Sequence, residues 1–116
     1  PFFGGGEART DDFRGRPLPA PHNPPVVAFG AHVAALGMSF YRGAMFPGDA
    51  RGDAFVAHHG SWNRTVPDGY RVARGRRPDG ARWGRPVDVK ELADGSLLVS
   101  DDHRGAVYRI TYKGVN

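Results

Sequence analysis

Gly52-Asp53-Ala54-Phe55-Val56-Ala57-His58-His59 is matched, 43 residues further on, by Gly95-Ser96-Leu97-Leu98-Val99-Ser100-Asp101-Asp102. Each copy opens on a turn residue, runs through small, β-branched or aromatic residues and ends on a polar pair. This is the composition of a strand bounded by a turn. A second match, Tyr70-Arg71-Val72 with Tyr108-Arg109-Ile110, lies 38 residues apart. Ahead of each long match lies a further β-favouring run, Leu36 to Tyr41 and Val87 to Leu92. Each unit therefore reads strand, turn, strand, turn, strand. A repeat of about 40 residues in an all-β chain is the period of a propeller blade.

The rest of the chain agrees with short strands. Further β-favouring runs are Val26 to Phe29, Ala54 to His58, Tyr70 to Ala73, Leu97 to Ser100 and Val107 to Tyr112. In the last of these, Val107, Arg109 and Thr111 share one face, and Tyr108, Ile110 and Tyr112 share the other. Asp68-Gly69, Asp94-Gly95 and Arg104-Gly105 mark turns between the runs. Ala31 to Met38 is the best helical candidate, but Gly30 and Gly37 bracket it, so it reads as loop then strand. The fold class is all-β: a partial β-propeller of about two blades, three visible strands each. Residues 1–25 hold six prolines and four glycines and form an irregular arm. Residues 26–116 form the two-blade segment, with one blade over 26–75 and the other over 85–113.

Composition narrows the function. The 116 residues contain no cysteine, which excludes a disulfide framework, a zinc ribbon and a thiol nucleophile. No apolar run is long enough to span a bilayer, and no segment has the pattern of a signal peptide. The formal net charge is +4, and fourteen of the sixteen basic residues are arginine. They are spread along the chain among aspartates, with one tight cluster from Arg71 to Arg85. No nucleic-acid reader motif accompanies them, so the partners expected do not include nucleic acid. Arginine suits planar, bidentate recognition of carboxylate.

Chemistry-bearing residues gather where each second strand ends. The first unit has His58-His59-Gly60-Ser61-Trp62-Asn63-Arg64 and the second has Asp101-Asp102-His103-Arg104. Loops after equivalent strands of a propeller lie on one side, so both sets, with Arg85, line one end of a central channel. Arginine forks would take carboxylates and Trp62 would stack on a flat ring. Plainer readings stand beside these. Trp62 and Trp83 can be packing residues. His58 and His59 can be read as a metal pair, but adjacent residues on a strand point to opposite faces, which favours a structural or loop role. Asp101-Asp102-His103 reads either as a Ca²⁺ ligand group or as an acidic turn capped by Arg104.

These residues resemble the C-terminal part of the glucose/sorbosone dehydrogenase family. The resemblance is carried by His32 to Tyr41, by Asp53 to Arg64 with its His-Gly-Ser-Trp-Asn-Arg string, by Gly69 to Val72, and by Trp83 to Val89 leading into Asp94 to Asp102. It implies a six-bladed propeller, pyrroloquinoline quinone (PQQ) as cofactor assisted by Ca²⁺, a sugar substrate, and a periplasmic or secreted location. By position it implies cofactor contacts from Arg85 and from the His59 to Arg64 loop (Arg64 first, with Trp62), and His32 facing the site. The catalytic base and most Ca²⁺ ligands would lie outside this chain. The chain then reads as a C-terminal fragment of an oxidoreductase, completed by a longer polypeptide or by homo-oligomerisation. A family strand between Val72 and Trp83 would be missing here. The alternative is a non-catalytic propeller segment binding a carbohydrate or a protein partner through the same face.

Overall fold

The structure, a computed structural model, describes residues 11–17, 25–75 and 84–114. Most of the expected arm and the Arg/Gly/Pro-rich stretch 76–83, including Trp83, lie outside these residues. Contacts divide the chain into two units, Pro1–Ala31 and His32–Asn116.

In the first unit a 3-10 turn, Asp11–Phe13, is braced by an Arg14–Asp11 ion pair, and the Arg16 guanidinium lies over the Phe13 ring. The strand expected over Val26 to Phe29 does not form. It follows two prolines, which offer no N–H to a ladder, and Val26 is exposed.

The described residues of the second unit form six strands: β1 (Ala35–Phe40), β2 (Ala54–His58), β3 (Arg71–Arg74), β4 (Pro86–Glu91), β5 (Leu97–Asp101) and β6 (Ala106–Ile110). They form two three-stranded antiparallel sheets, ordered β1-β2-β3 and β4-β5-β6. No α-helix occurs among the described residues. The chain is all-β, as the turn spacing predicts, and its described sheets are open rather than closed into a ring. The loop-then-strand reading of residues 31–38 holds, with β1 beginning at Ala35.

The ladders define which positions of the two sheets are equivalent. Val56 pairs with Met38 and Ala73; its counterpart Val99 pairs with Val89 and Tyr108. Likewise Phe55 pairs with Arg74, and Leu98 with Arg109. Arg109 therefore corresponds to Arg74, not to Arg71 as the Tyr-Arg-Val match suggests. The side chains show why the true register matters. Arg74 Nε donates to Asp53 Oδ2 at 2.8 Å, and Arg109 Nε donates to Ser96 Oγ at 3.0 Å. Asp53 and Ser96 are themselves equivalent. In each sheet a third-strand arginine thus pins the turn that leads into the second strand. The bond that closes each connection repeats as well: Gly52 N–H donates to the Tyr41 carbonyl, and Gly95 N–H to that of Leu92.

The sheets pack through Tyr41, Ala50 and Phe55 on one side and Val89, Leu97 and Val99 on the other. Tyr41 is the keystone. Its ring lies 5.2 Å from Phe46 and 5.8 Å from Phe55, both edge-on. Its hydroxyl donates to the Gly95 carbonyl and accepts from the Phe46 N–H, so burial leaves neither of its roles unmet. This packing aligns the N-terminal ends of β1 and β4 and brings the segments before them, Val33-Ala34 and Gly84-Arg85, to one place.

Candidate ligand-binding cleft

A cleft of about 310 Å³ opens at that place, lined by Ala34, His59, Gly60, Ser61, Trp62, Tyr70 and Arg85. It is built by the loop from His59 to Tyr70. The loop is tied to the lead-in of β1 by His59 N–H donating to the Ala34 carbonyl and Gly60 N–H to that of Val33, each at 3.0 Å. Its own ends are stitched by Ser61 N–H to the Asp68 carbonyl and Asp68 N–H to Ser61 Oγ. The Tyr70 hydroxyl donates to the Ser61 carbonyl at 2.6 Å. Gly60 is required here. Its φ is +120°, and a Cβ would stand 2.3 Å from the Tyr70 ring.

Among the described residues, the non-glycine residues in the left-handed region are His32, Ala34 and Tyr70, with φ of 62°, 49° and 59°. Two of them line the cleft, and the third touches it through Trp62. Such strain persists only where surrounding structure enforces it, and it clusters at ligand sites.

The polar centre is His59, Arg85 and Asp102. Arg85 Nη2 lies within hydrogen-bond distance of His59 Nε2. A guanidinium can only donate, so Nε2 is the acceptor in this contact. Asp102 lies 3.7 Å from His59 Nε2 and 3.8 Å from Arg85 Nε. The first sheet supplies the histidine, and the second supplies the arginine and the carboxylate. Trp62 is 84% exposed, its ring held edge-on by His32 at 6.1 Å. It presents a face rather than packing into a core.

The sequence-derived candidates therefore separate. His59, Trp62 and Arg85 line the cleft, and His32 supports Trp62. Arg64 is not among the lining residues. It donates from Nε to the Val66 carbonyl and pairs with Asp68 at 3.4 Å, which keeps it in the loop's own bracing. Asp68 is held below its ordinary pKa, first by the Gly69 N–H and then by Arg71 and Arg64, against a smaller upward push from burial. The sequence reading missed Ala34 and Tyr70. Neither is polar enough to stand out, and only their backbone conformation marks them. Of the two readings of Asp101-Asp102-His103, the capped turn is the one formed. Asp101 accepts the Arg104 N–H at 3.0 Å. No group of three or more His, Asp or Glu side chains placed to hold a metal occurs among the described residues. His58 is buried, 1% exposed, and its pKa is lowered by burial and by Arg71, with Asp68 opposing.

Residues 19–90 match the family described as TrAA12-like. The chain belongs to this family. The TrAA12-like match spans the whole first sheet, the cleft loop and Arg85. A protein of Borreliella burgdorferi described as an uncharacterized protein is 37% identical over 111 residues, covering 79% of this TrAA12-like chain and 29% of the relative. The chain thus spans under a third of the length of that relative. No solved structure matches it.

The TrAA12-like match overturns the expected membership of the glucose/sorbosone dehydrogenase family, and with it the assignment as a fragment of a PQQ-dependent sugar dehydrogenase. The matching family is a distinct one, and nothing in the comparisons indicates an oxidoreductase. The physical reason lies in what the deceptive strings do. His-Gly-Ser-Trp-Asn-Arg builds the strained loop over Tyr70, and Gly-Arg-Pro-Val leads a strand past a buried carboxylate. Both encode local geometry, and a shared loop geometry does not carry a reaction with it.

Proposed function

We propose that the two sheets are successive blades of a β-propeller, over 26–75 and 85–113, and that the cleft binds a small planar anion. The repeated register, the repeated arginine pin and the face-to-face packing support the blade reading. The observation that carries the binding reading is the convergence of strained Ala34 and Tyr70, exposed Trp62 and the Arg85 guanidinium on one cleft. Its volume sits at the small end of the ~300–1,000 Å³ typical of small-molecule sites. Arg85 would grip a carboxylate and the Trp62 face would receive a flat ring. Carboxylates are favoured over uncharged ligands because a guanidinium offers positive charge on a planar donor fork that matches them. PQQ, a fused planar ring bearing three carboxylates, has this chemistry. It is proposed as a ligand on that ground alone, apart from any dehydrogenase assignment.

Equilibrium titration with PQQ, and in parallel with benzene-1,3,5-tricarboxylate, tests this. Binding is expected to weaken about tenfold to a hundredfold in Arg85→Gln, the cost of one charge-assisted contact. An Arg85→Gln protein that binds both compounds as the parent does would sink the reading.

A further inference from the structure

We infer that Asp101 is the positioning residue of this cleft: its carboxylate fixes the backbone of Arg85, while its neighbour Asp102 steadies the guanidinium. The inference rests on the reading of Arg85 as the ligand-gripping residue.

Asp101 is the last residue of β5 and is only 2% exposed. In the ladder it stands between Pro86 of β4 and Ala106 of β6. Its Oδ2 accepts the Arg85 N–H at 3.3 Å, and its Oδ1 accepts the Arg104 N–H at 3.0 Å. One carboxylate thus ties the lead-in of β4 to the turn after β5. Arg85 N–H is the last donor before that strand, because Pro86 has none. Gly84 makes the approach possible, since a Cβ there would stand 2.2 Å from Asp101 Oδ2.

The equivalent place in the first sheet shows that this is a choice rather than a requirement of the fold. There His58 takes the position of Asp101, and the lead-in of β1 is held by backbone bonds from His59 and Gly60. No side-chain oxygen is needed where no arginine has to be aimed. In the second sheet two consecutive aspartates divide the work. Asp101 accepts from the Arg85 backbone, and Asp102 lies 3.8 Å from Arg85 Nε and 3.7 Å from His59 Nε2. Burial pushes the Asp101 pKa upward, but the N–H groups of Arg104, Arg85 and His103 outweigh it, and the group is held below its ordinary value.

Asp101→Asn tests this, because an amide has one oxygen where the carboxylate has two and cannot accept from both segments in the same way. Two readouts are taken on the full chain. Amide hydrogen exchange is expected to show Arg85 N–H protected in the parent and exposed in Asp101→Asn, with Val99 unchanged. PQQ titration is expected to show about tenfold weaker binding in Asp101→Asn. No further loss is expected when the change is added to Arg85→Gln, as it must be if Asp101 acts through Arg85. Gly84→Ala, which leaves the charge in place and drives the carboxylate away, is expected to reproduce both effects. An Arg85 amide that exchanges as fast in the parent as in the variants overturns the inference, as does parental affinity in Asp101→Asn. If the parent chain does not bind PQQ, the ligand reading fails and the positioning role with it. The exchange data then report the clamp alone.

Discussion

The two sheets share one scaffold and part company at its ends. Both carry the same ladder, the same hydrogen bond closing the connection ahead of the second strand and an arginine pinning that connection, which is long and holds a 3-10 turn, Gly48–Ala50, only in the first sheet. Beyond the second strand they differ. The first sheet runs into the long loop from His59 to Tyr70, which holds Trp62 and the strained Tyr70. The second closes in a short turn caught by Asp101. The repeated parts are those that pairing and packing require. The unrepeated loop after the second strand is the part of the first sheet that builds the cleft. A second difference concerns the first strands. Met38 and Val89 are equivalent, yet Met38 is 56% exposed and Val89 only 2%. At this strand position the side chain is covered in one sheet and open in the other, although Val56 and Ala73, paired alongside Met38, are buried.

The largest effect is expected at this last pair. Val89→Ala removes two buried methyl groups and should cost about 2 kcal/mol, a fall in Tm of roughly 10 °C. Met38→Ala at the equivalent place should move stability by less than about 0.5 kcal/mol. Equal losses in thermal unfolding would show that the Met38 side chain is covered in solution and would break the comparison.

A smaller effect is expected from the pins. Arg74→Ala should cost about 1 kcal/mol, since its partners Asp53 and Asp49 are partly exposed. Arg109→Ala should cost less, because Arg109 is more exposed than Arg74. Urea unfolding of both variants gives the order, and a costlier Arg109→Ala would reverse it.

The smallest effect concerns the equivalent buried pair His58 and Asp101, and it sharpens the comparison by pH. His58 is lowered from 6.5, so the unfolded chain takes up a proton before the folded one does. Its contribution is complete above 6.5 and declines as pH falls below that, down to its own lowered value. Asp101 is lowered from 3.8, so its contribution is complete above 3.8 and is lost at more acid pH. Stability measured against pH should fall in two separate windows. His58→Gln should remove the one nearer neutrality and leave the acid one. A decline near pH 6 that survives in His58→Gln would refute the assignment.

Much of the scaffold was legible because it is written in local periodicity. Alternation over Val107 to Tyr112 and the Asp-Gly turns mark strands by the backbone's own geometry, and the bounds of β2 were read correctly. The error in matching Arg109 to Arg71 arose because Tyr-Arg-Val and Tyr-Arg-Ile look alike as strings. Register is set by cross-strand pairing and by where an arginine can reach a turn oxygen. The cleft was legible in half. His59, Trp62 and Arg85 stand out by chemistry and do meet. Arg64 stands out equally and is spent on Asp68 four residues away. Ala34 carries no chemical signal, and the Tyr70 hydroxyl is used on the Ser61 carbonyl of its own loop, so backbone conformation is what marks both.

By itself the sequence determined the all-β class, the two-unit repeat and the short strands, because hydrophobic alternation and turn residues act over a few neighbouring positions. Only the tertiary structure decided which side chains converge, because His59 and Arg85 belong to different sheets. Their approach depends on the packing of Tyr41, Val89 and Leu97 between those sheets. It also depends on a glycine at position 84 that lets a buried carboxylate reach the backbone of Arg85.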